Sequence, residues 1–223
     1  MKFSIITPTL NDAAVITRTV RSLGAQDYSR ELMEWILIDG GSADATLETI
    51  KAEKVHPDVW ESEKNGGFFD ALNRGITGAT GDVVCFLPAG NRLASRGTIY
   101  RLSSAFTNSG AACVYSNVEQ GVEGLSGFEV QHSVRPGIFH RRKLGWGWCP
   151  PLTSFCMLRD ALLETALPSG AIFDLSFGSA AGVEWVHRTI GRDRVEPAYL
   201  RIPTVQRWGC PVGVEGSDLW RAL

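Results

Sequence analysis

The sequence has no CxxC pair, no GxGxxG, and no GxxxxGK followed by Ser or Thr. Without those glycine fingerprints, a dinucleotide Rossmann site and a P-loop are both disfavoured. The five cysteines (85, 113, 149, 156 and 210) are odd in number and lack the spacing of a disulfide framework or zinc site. They read as buried apolar residues or inert thiols. No apolar run approaches the roughly 18 residues that a membrane span needs. The longest, residues 82–87 and their flanks, is bounded by Gly81 and Pro88. No secretory leader is visible, because residues 3–10 are apolar but hold two threonines and a proline. A cytoplasmic protein is expected. Neither charge sign dominates: 22 Lys and Arg face 24 Asp and Glu, a net charge of −2. That balance argues against a protein that wraps nucleic acid.

What is present is ordinary for a globular enzyme. The 223 residues are 44% hydrophobic and 21% charged, enough for one domain with a core that needs no staples.

Up to about Tyr115 the chain alternates strand and helix patterns. Strands are predicted at residues 3–9, 34–39, 82–87 and 111–115, with a short one at 58–61. Helices are predicted at 12–26, 43–52, 68–79 and 95–106, where apolar residues recur at helical spacing. Such alternation implies βαβ crossovers and a mostly parallel sheet covered on both faces, an α/β fold. After about Ser116 the alternation is lost. Gly, Arg and Trp become frequent across residues 134–151, and two helices follow near 159–165 and 179–190. We expect one domain, with residues 1–115 binding a nucleotide and 116–223 facing an acceptor.

Ligands of open α/β sheets sit at the carboxyl ends of the strands. The segments that follow the strands mix small and hydrogen-bonding residues: Thr7 to Asp12, Asp39 to Asp44, Asn65 to Gly67, and Pro88 to Asn91. Small residues let a ligand approach the backbone closely. Asp39 ends an apolar strand, where its carboxylate can accept from a base N–H or ribose hydroxyls. With Ser42 it could also organise a turn and cap the next helix, although a capping Ser does not explain Asp39.

Four blocks then stand in order: FSIITPTLN at 3–11, IDGGSADAT at 38–46, GFFDALNRG at 67–75 and ATGDVVCFL at 79–87. Together they resemble the nucleotide half of family 2 glycosyltransferases, and the resemblance covers about the first 93 residues. It implies a single GT-A domain and sugar transfer from a nucleotide sugar, UDP-linked by preference, to a glycan or lipid-linked acceptor. It also implies inversion at the anomeric carbon. Thr7, Pro8, Thr9 and Asn11 match the loop around base and ribose. Asp39 matches the carboxylate that reads the base, and Ser42 and Asp44 complete that loop. Gly67, Asp70, Asn73 and Arg74 match the helix beside ribose, diphosphate and sugar. A guanidinium suits phosphate oxygens, although Arg74 reads as well as a solvated helix residue.

The sequence departs from the family at three places. Relatives carry an acidic pair after the fourth strand to hold Mg²⁺ or Mn²⁺. Here Ala89, Gly90 and Asn91 stand there, and Asn91 is at best one neutral ligand. The segment FDLSFGSAAGVEWVHR at 173–188 resembles the one that supplies the catalytic base, but Gly182 falls on the acid's position. Glu184 is the nominee for base, with a salt-bridged helix residue as the other reading. Leu152 and Thr153 replace a polar pair seen in many relatives. These losses motivate an alternative: an inactive relative that binds nucleotide or glycan, or scaffolds a partner. Arg141, Arg142, Trp146 and Trp148 form a basic, aromatic cluster. It suits an acceptor, a diphosphate or lipid head groups, and so a peripheral contact at the inner face of a membrane. It reads as well as a solvated loop. Residues 218–223 can form a short docking helix or a frayed end.

Overall fold

The computed structural model describes residues 1–64, 66–124, 127–191 and 195–208. Asn65, Cys210 and residues 218–223, named above, lie outside them. The chain runs β1 (Phe3–Thr9), α1 (Ile16–Gly24), β2 (Met33–Asp39), α2 (Thr46–Ala52), β3 (Val59–Ser62), α3 (Phe68–Gly78) and β4 (Val83–Phe86). It continues through β5 (Arg92–Leu93), α4 (Thr98–Ser109), the hairpin β6 (Cys113–Gly124) and β7 (Gly127–Val134), β8 (Phe155–Leu158), α5 (Arg159–Leu163), α6 (Ala181–Gly191) and β9 (Pro197–Trp208).

One mixed sheet has the order β3-β2-β1-β4-β8-β6-β9-β5, with β7 paired to β6. The ladders among β1, β2, β3 and β4 are parallel. Strand β8 enters antiparallel between β4 and β6, and the long β6–β9 ladder is again parallel. Residues on either side of Tyr115 therefore share one sheet.

Side-chain alternation fills a core on each face. Phe3, Ile5, Trp35 and Leu37 pack toward α1 and α4, whereas Ile6, Ile36, Ile38 and Phe86 pack toward α3 and α6. Covered on both sides, these strands read as continuous apolar runs. Gly75 lets α3 lie close on β1: a Cβ there would come 2.4 Å from Ile6 Cγ2.

Differences from the expected elements have local causes. Helix α1 begins at Ile16 because residues 12–15 form a turn, in which the Val15 and Ile16 N–H groups donate to the Asp12 carbonyl at 2.9 Å. Helix α2 begins at Thr46, after Asp44 has accepted from the Thr46 N–H at 3.0 Å. The strand expected at 111–115 runs on to Gly124, and β7, β8 and β9 were not anticipated. Strand β7 is largely exposed, and β6 and β9 mix Gln, Glu and Arg with apolar residues, so the apolar signal is weak. No helix among the described residues is long and apolar enough to cross a membrane.

Candidate active site

A cleft of about 430 Å³ opens at the carboxyl ends of β1 and β4, where open α/β sheets bind ligands. Pro8, Thr9 and Asn11 line it from β1, and Pro88, Ala89, Gly90 and Asn91 line it from β4. Gly67, Phe68 and Ala71 contribute from the start of α3, and Asp12, Val15 and Arg18 from the approach to α1 and its first turn. Thr153, Arg207 and Trp208 close it from the later half.

The two loops from β1 and β4 are tied together. The Ala89 N–H donates to the Pro8 carbonyl at 3.1 Å. Thr19 on α1 accepts from the Gly90 N–H at 3.0 Å and donates to the Asn91 carbonyl at 2.6 Å. Gly90 has φ of +84°, and a Cβ there would sit 3.1 Å from Val15 Cγ2. Backbone hand and space both oppose a side chain at that position.

Several residues expected at the ligand make hydrogen bonds within the scaffold. Thr7 is buried and accepts from Trp35 Nε1 at 3.0 Å. Asp39 is fully buried and accepts from the Gly41 and Ser42 N–H groups and from the Ser42 and Ser62 hydroxyls. Three of these bonds fall on Oδ2 and one on Oδ1, from the Gly41–Ser42 loop and from Ser62 on β3. Ser42 does not cap α2: its hydroxyl donates to Asp39 and accepts from the Asn11 N–H at 2.8 Å. Asn11, at φ of +54°, completes the lock by accepting from the Ala43 N–H at 2.9 Å. Asp44 binds Thr46 and the Ala13 N–H; the Thr46 hydrogen bond foremost holds its carboxyl below the usual aspartate range.

On α3, Asp70 accepts from the Gly66 N–H at 2.9 Å. Asn73 accepts from the Ile172 and Phe173 N–H groups at 3.0 and 2.9 Å and donates to the Phe173 carbonyl at 2.9 Å. Arg74 pairs with Glu61 at 2.6 Å and Glu63 at 3.3 Å, so its charge is engaged away from the cleft. None of these three lines the cleft.

Glu184 also lies outside the cleft lining. Its carboxylate is gripped by Arg188, which donates as well to the Thr165 and Ile172 carbonyls. At Gly182 a Cβ would meet the Phe69 ring at 3.2 Å and Leu152 Cδ2 at 3.5 Å. The direction an acid would take is filled by the core. Arg141, Arg142 and Trp146 stand on an exposed turn, Trp146 with 91% of its surface open. Trp148 instead packs on Tyr115 and Phe139 and donates to the Pro136 carbonyl at 2.8 Å.

Mg²⁺ and Mn²⁺ want hard oxygen donors, carboxylates foremost. Beyond β4 the chain offers Gly90 and neutral Asn91. Among the described residues no group of three His, Cys, Asp or Glu could hold a metal. Asp12 is the only carboxylate that lines the cleft among them, and two guanidiniums, Arg18 and Arg207, line it too. That donor set does not fit a divalent cation.

Arg18, Arg207 and Trp208 were not anticipated. Arg18 looks like any polar residue of an amphipathic helix. Arg207 and Trp208 reach the cleft through the β6–β9 and β5–β9 pairings, the first of which places them opposite Gln120 and Gly121.

The family model for Glycosyl transferase family 2 matches residues 4–166. An uncharacterised glycosyltransferase of Mycobacterium tuberculosis (strain CDC 1551) is 30% identical over 185 residues, 83% of this chain and 67% of the relative. TarS 1-349 of S. aureus in complex with UDP-GlcNAc superposes with a TM-score of 0.73 at 18% identity, covering 98% of this chain and 60% of that one. Mannosyltransferase PcManGT from Pyrobaculum calidifontis, in complex with GDP-Man and Mn²⁺, gives 0.65 at 20% identity, covering 99% and 59%. The chain thus spans about 60% of the length of these solved neighbours. The shared shape is the α/β fold of GT-A glycosyltransferases.

Proposed function

The chain belongs to glycosyl transferase family 2, and from that premise we propose that it moves a sugar from a nucleotide-sugar donor to a hydroxyl of a glycan or lipid-linked acceptor. The observation that carries this reading is the cleft at the ends of β1 and β4, large enough for a nucleotide and bordered by small residues and backbone. Neighbours of the same fold hold UDP-GlcNAc and GDP-Man, which supports a nucleoside diphosphate sugar and leaves UDP as the preferred probe.

In the proposed reaction the acceptor oxygen bonds to the anomeric carbon as the bond to the diphosphate oxygen breaks. The acceptor hydroxyl gives its proton up to solvent water as it attacks, and the nucleoside diphosphate departs with the bonding pair. A direct displacement of this kind inverts the anomeric centre. Pro8, Thr9 and Asn11 border the base and ribose. Asp39, Ser42 and Asp44 act on the nucleotide indirectly, by fixing the loops that Asn11 joins. Asn73 and Arg74 hold α3 in place beneath Gly67 and Phe68. Glu184 serves the fold of α6 through Arg188. Arg141, Arg142 and Trp146 are the exposed groups assigned to the acceptor, with Trp146 offering a stacking face to a sugar ring.

Titration calorimetry with UDP, GDP and TDP, followed by a screen of the matching nucleotide sugars for released nucleoside diphosphate, tests the reading. One nucleotide should bind, and Ala89→Trp, which fills the cleft, should abolish that binding. Binding with no transfer to any acceptor tried would favour a nucleotide-binding relative without catalysis. No binding would end the proposal.

A further inference from the structure

Two residues of the cleft wall, Arg207 and Thr153, each hold a buried side-chain polar atom without a hydrogen-bond partner among the described residues, Nε and Oγ1. Orphaned buried polar atoms are costly and rare in folded proteins. Here both belong to the wall of the same cleft. Arg207 makes a single long hydrogen bond, from Nη2 to Gln120 Oε1 at 3.3 Å, and pairs with no carboxylate among the described residues. Burial pushes its pKa down, as expected of a guanidinium lacking a counter-anion.

Arg18 adds a second positive charge to the wall. Its guanidinium lies 4.2 Å from the centroid of the Trp208 ring. No described residue gives it an ion pair. Trp208 is also approached by Arg92, whose guanidinium is 5.3 Å from the ring. The aromatic ring thus braces Arg18 while its N–H groups stay available. On the facing side, the position after β4 cannot carry an acid without moving Val15.

We propose that Arg207 and Arg18, with the Thr153 hydroxyl, hold the diphosphate of the donor and neutralise its charge, as a divalent cation otherwise could. The proposal rests on the nucleotide-sugar reading of the cleft. Guanidinium forks match phosphate oxygens two at a time. They would stabilise the negative charge that grows on the departing diphosphate. Thr153 supplies a hydroxyl donor to an oxygen between them, which would also satisfy its buried Oγ1.

The test is calorimetry of uridine, UMP and UDP against the full chain, each with EDTA and with Mn²⁺, with GDP and TDP run alongside. UDP should bind equally in EDTA and Mn²⁺ and more tightly than uridine. Arg207→Gln should weaken UDP roughly tenfold to a hundredfold, the range for a lost charged hydrogen bond, and leave uridine unchanged. Arg18→Gln, on the surface of α1, should weaken UDP in the same direction and serves if Arg207→Gln does not fold. A UDP affinity that collapses in EDTA, with both variants indifferent, would overturn the inference while the nucleotide reading stands. So would uridine binding as tightly as UDP. If no nucleotide binds, the reading itself fails and the inference falls with it.

Discussion

Glu184 and Arg188 form a two-pronged ion pair across one turn of α6, with Nε to Oε1 at 2.7 Å and Nη2 to Oε2 at 3.2 Å. Their side chains are only 19% and 10% exposed. Arg188 gives two more donors to the Thr165 and Ile172 carbonyls, so the pair clamps α6 to the two segments that precede it. We propose that a carboxylate so engaged acts as a positioning group rather than as the base. Glu184→Gln should therefore lower stability by about 1–2 kcal/mol in urea unfolding, with nucleotide affinity unchanged. Intact stability together with lost transfer would instead restore Glu184 as the base.

Asn73 makes a similar clamp between α3 and the backbone at Ile172 and Phe173. Asn73→Ala removes three hydrogen bonds and strands two N–H groups and a carbonyl. We expect a loss of about 2–4 kcal/mol, read as a lower urea midpoint. Asn73→Asp should be no better, because it turns a carboxylate oxygen toward the Phe173 carbonyl. A drop in UDP affinity at unchanged stability would return Asn73 to the ligand.

These two residues show what the sequence can and cannot reveal. Strands β1 and β2 are legible because both faces are buried and the apolar runs are unbroken. The loops that follow them are legible because small and hydrogen-bonding residues cluster there. Which hydrogen bonds those residues make is not legible. Asp39, Asn73 and Arg74 have the chemistry to touch a ligand, yet each finds partners that only the fold brings to it: Ser62 for Asp39, the Ile172 and Phe173 backbone for Asn73, and the Glu61 and Glu63 carboxylates for Arg74. Arg207 is the reverse case. Nothing in its neighbourhood marks it, and the parallel β6–β9 ladder together with the β5–β9 pairing brings it beside the loop after β4.

Glu34 sets an acid limit on stability. Its buried carboxylate accepts from the Ser4 hydroxyl, the Thr80 N–H and the Thr80 hydroxyl, with Lys2 at 3.5 Å. Burial alone would raise its pKa, but the hydrogen bonds from Ser4 and Thr80 and the Lys2 charge outweigh it and hold it below the usual 4.5. A carboxyl lowered on folding contributes stability above its unfolded value, and that contribution is lost as pH falls through the folded value. Urea midpoints should fall below about pH 4.5 in the native chain. Glu34→Gln should be weaker at pH 7 and show a flatter acid limb. Parallel acid limbs in the two proteins would contradict this account.

Gly182 stands where the family resemblance places an acid, and packing crowds the space around it. It is buried on α6 with Phe69 and Leu152 in the path of any side chain. Gly182→Asp would press a carboxylate against an aromatic ring, with burial opposing its charge. The expected cost is about 2–4 kcal/mol, from overpacking and an unpaired polar group. Opening the space with Phe69→Ala should recover part of that loss, so the double variant should be more stable than the two single effects summed. Additivity would mean that the Phe69 ring moves aside freely and that packing does not keep an acid from this position. Recovery would mean that the ring and the glycine are one unit, and that the acid expected of relatives cannot be restored here by a single substitution.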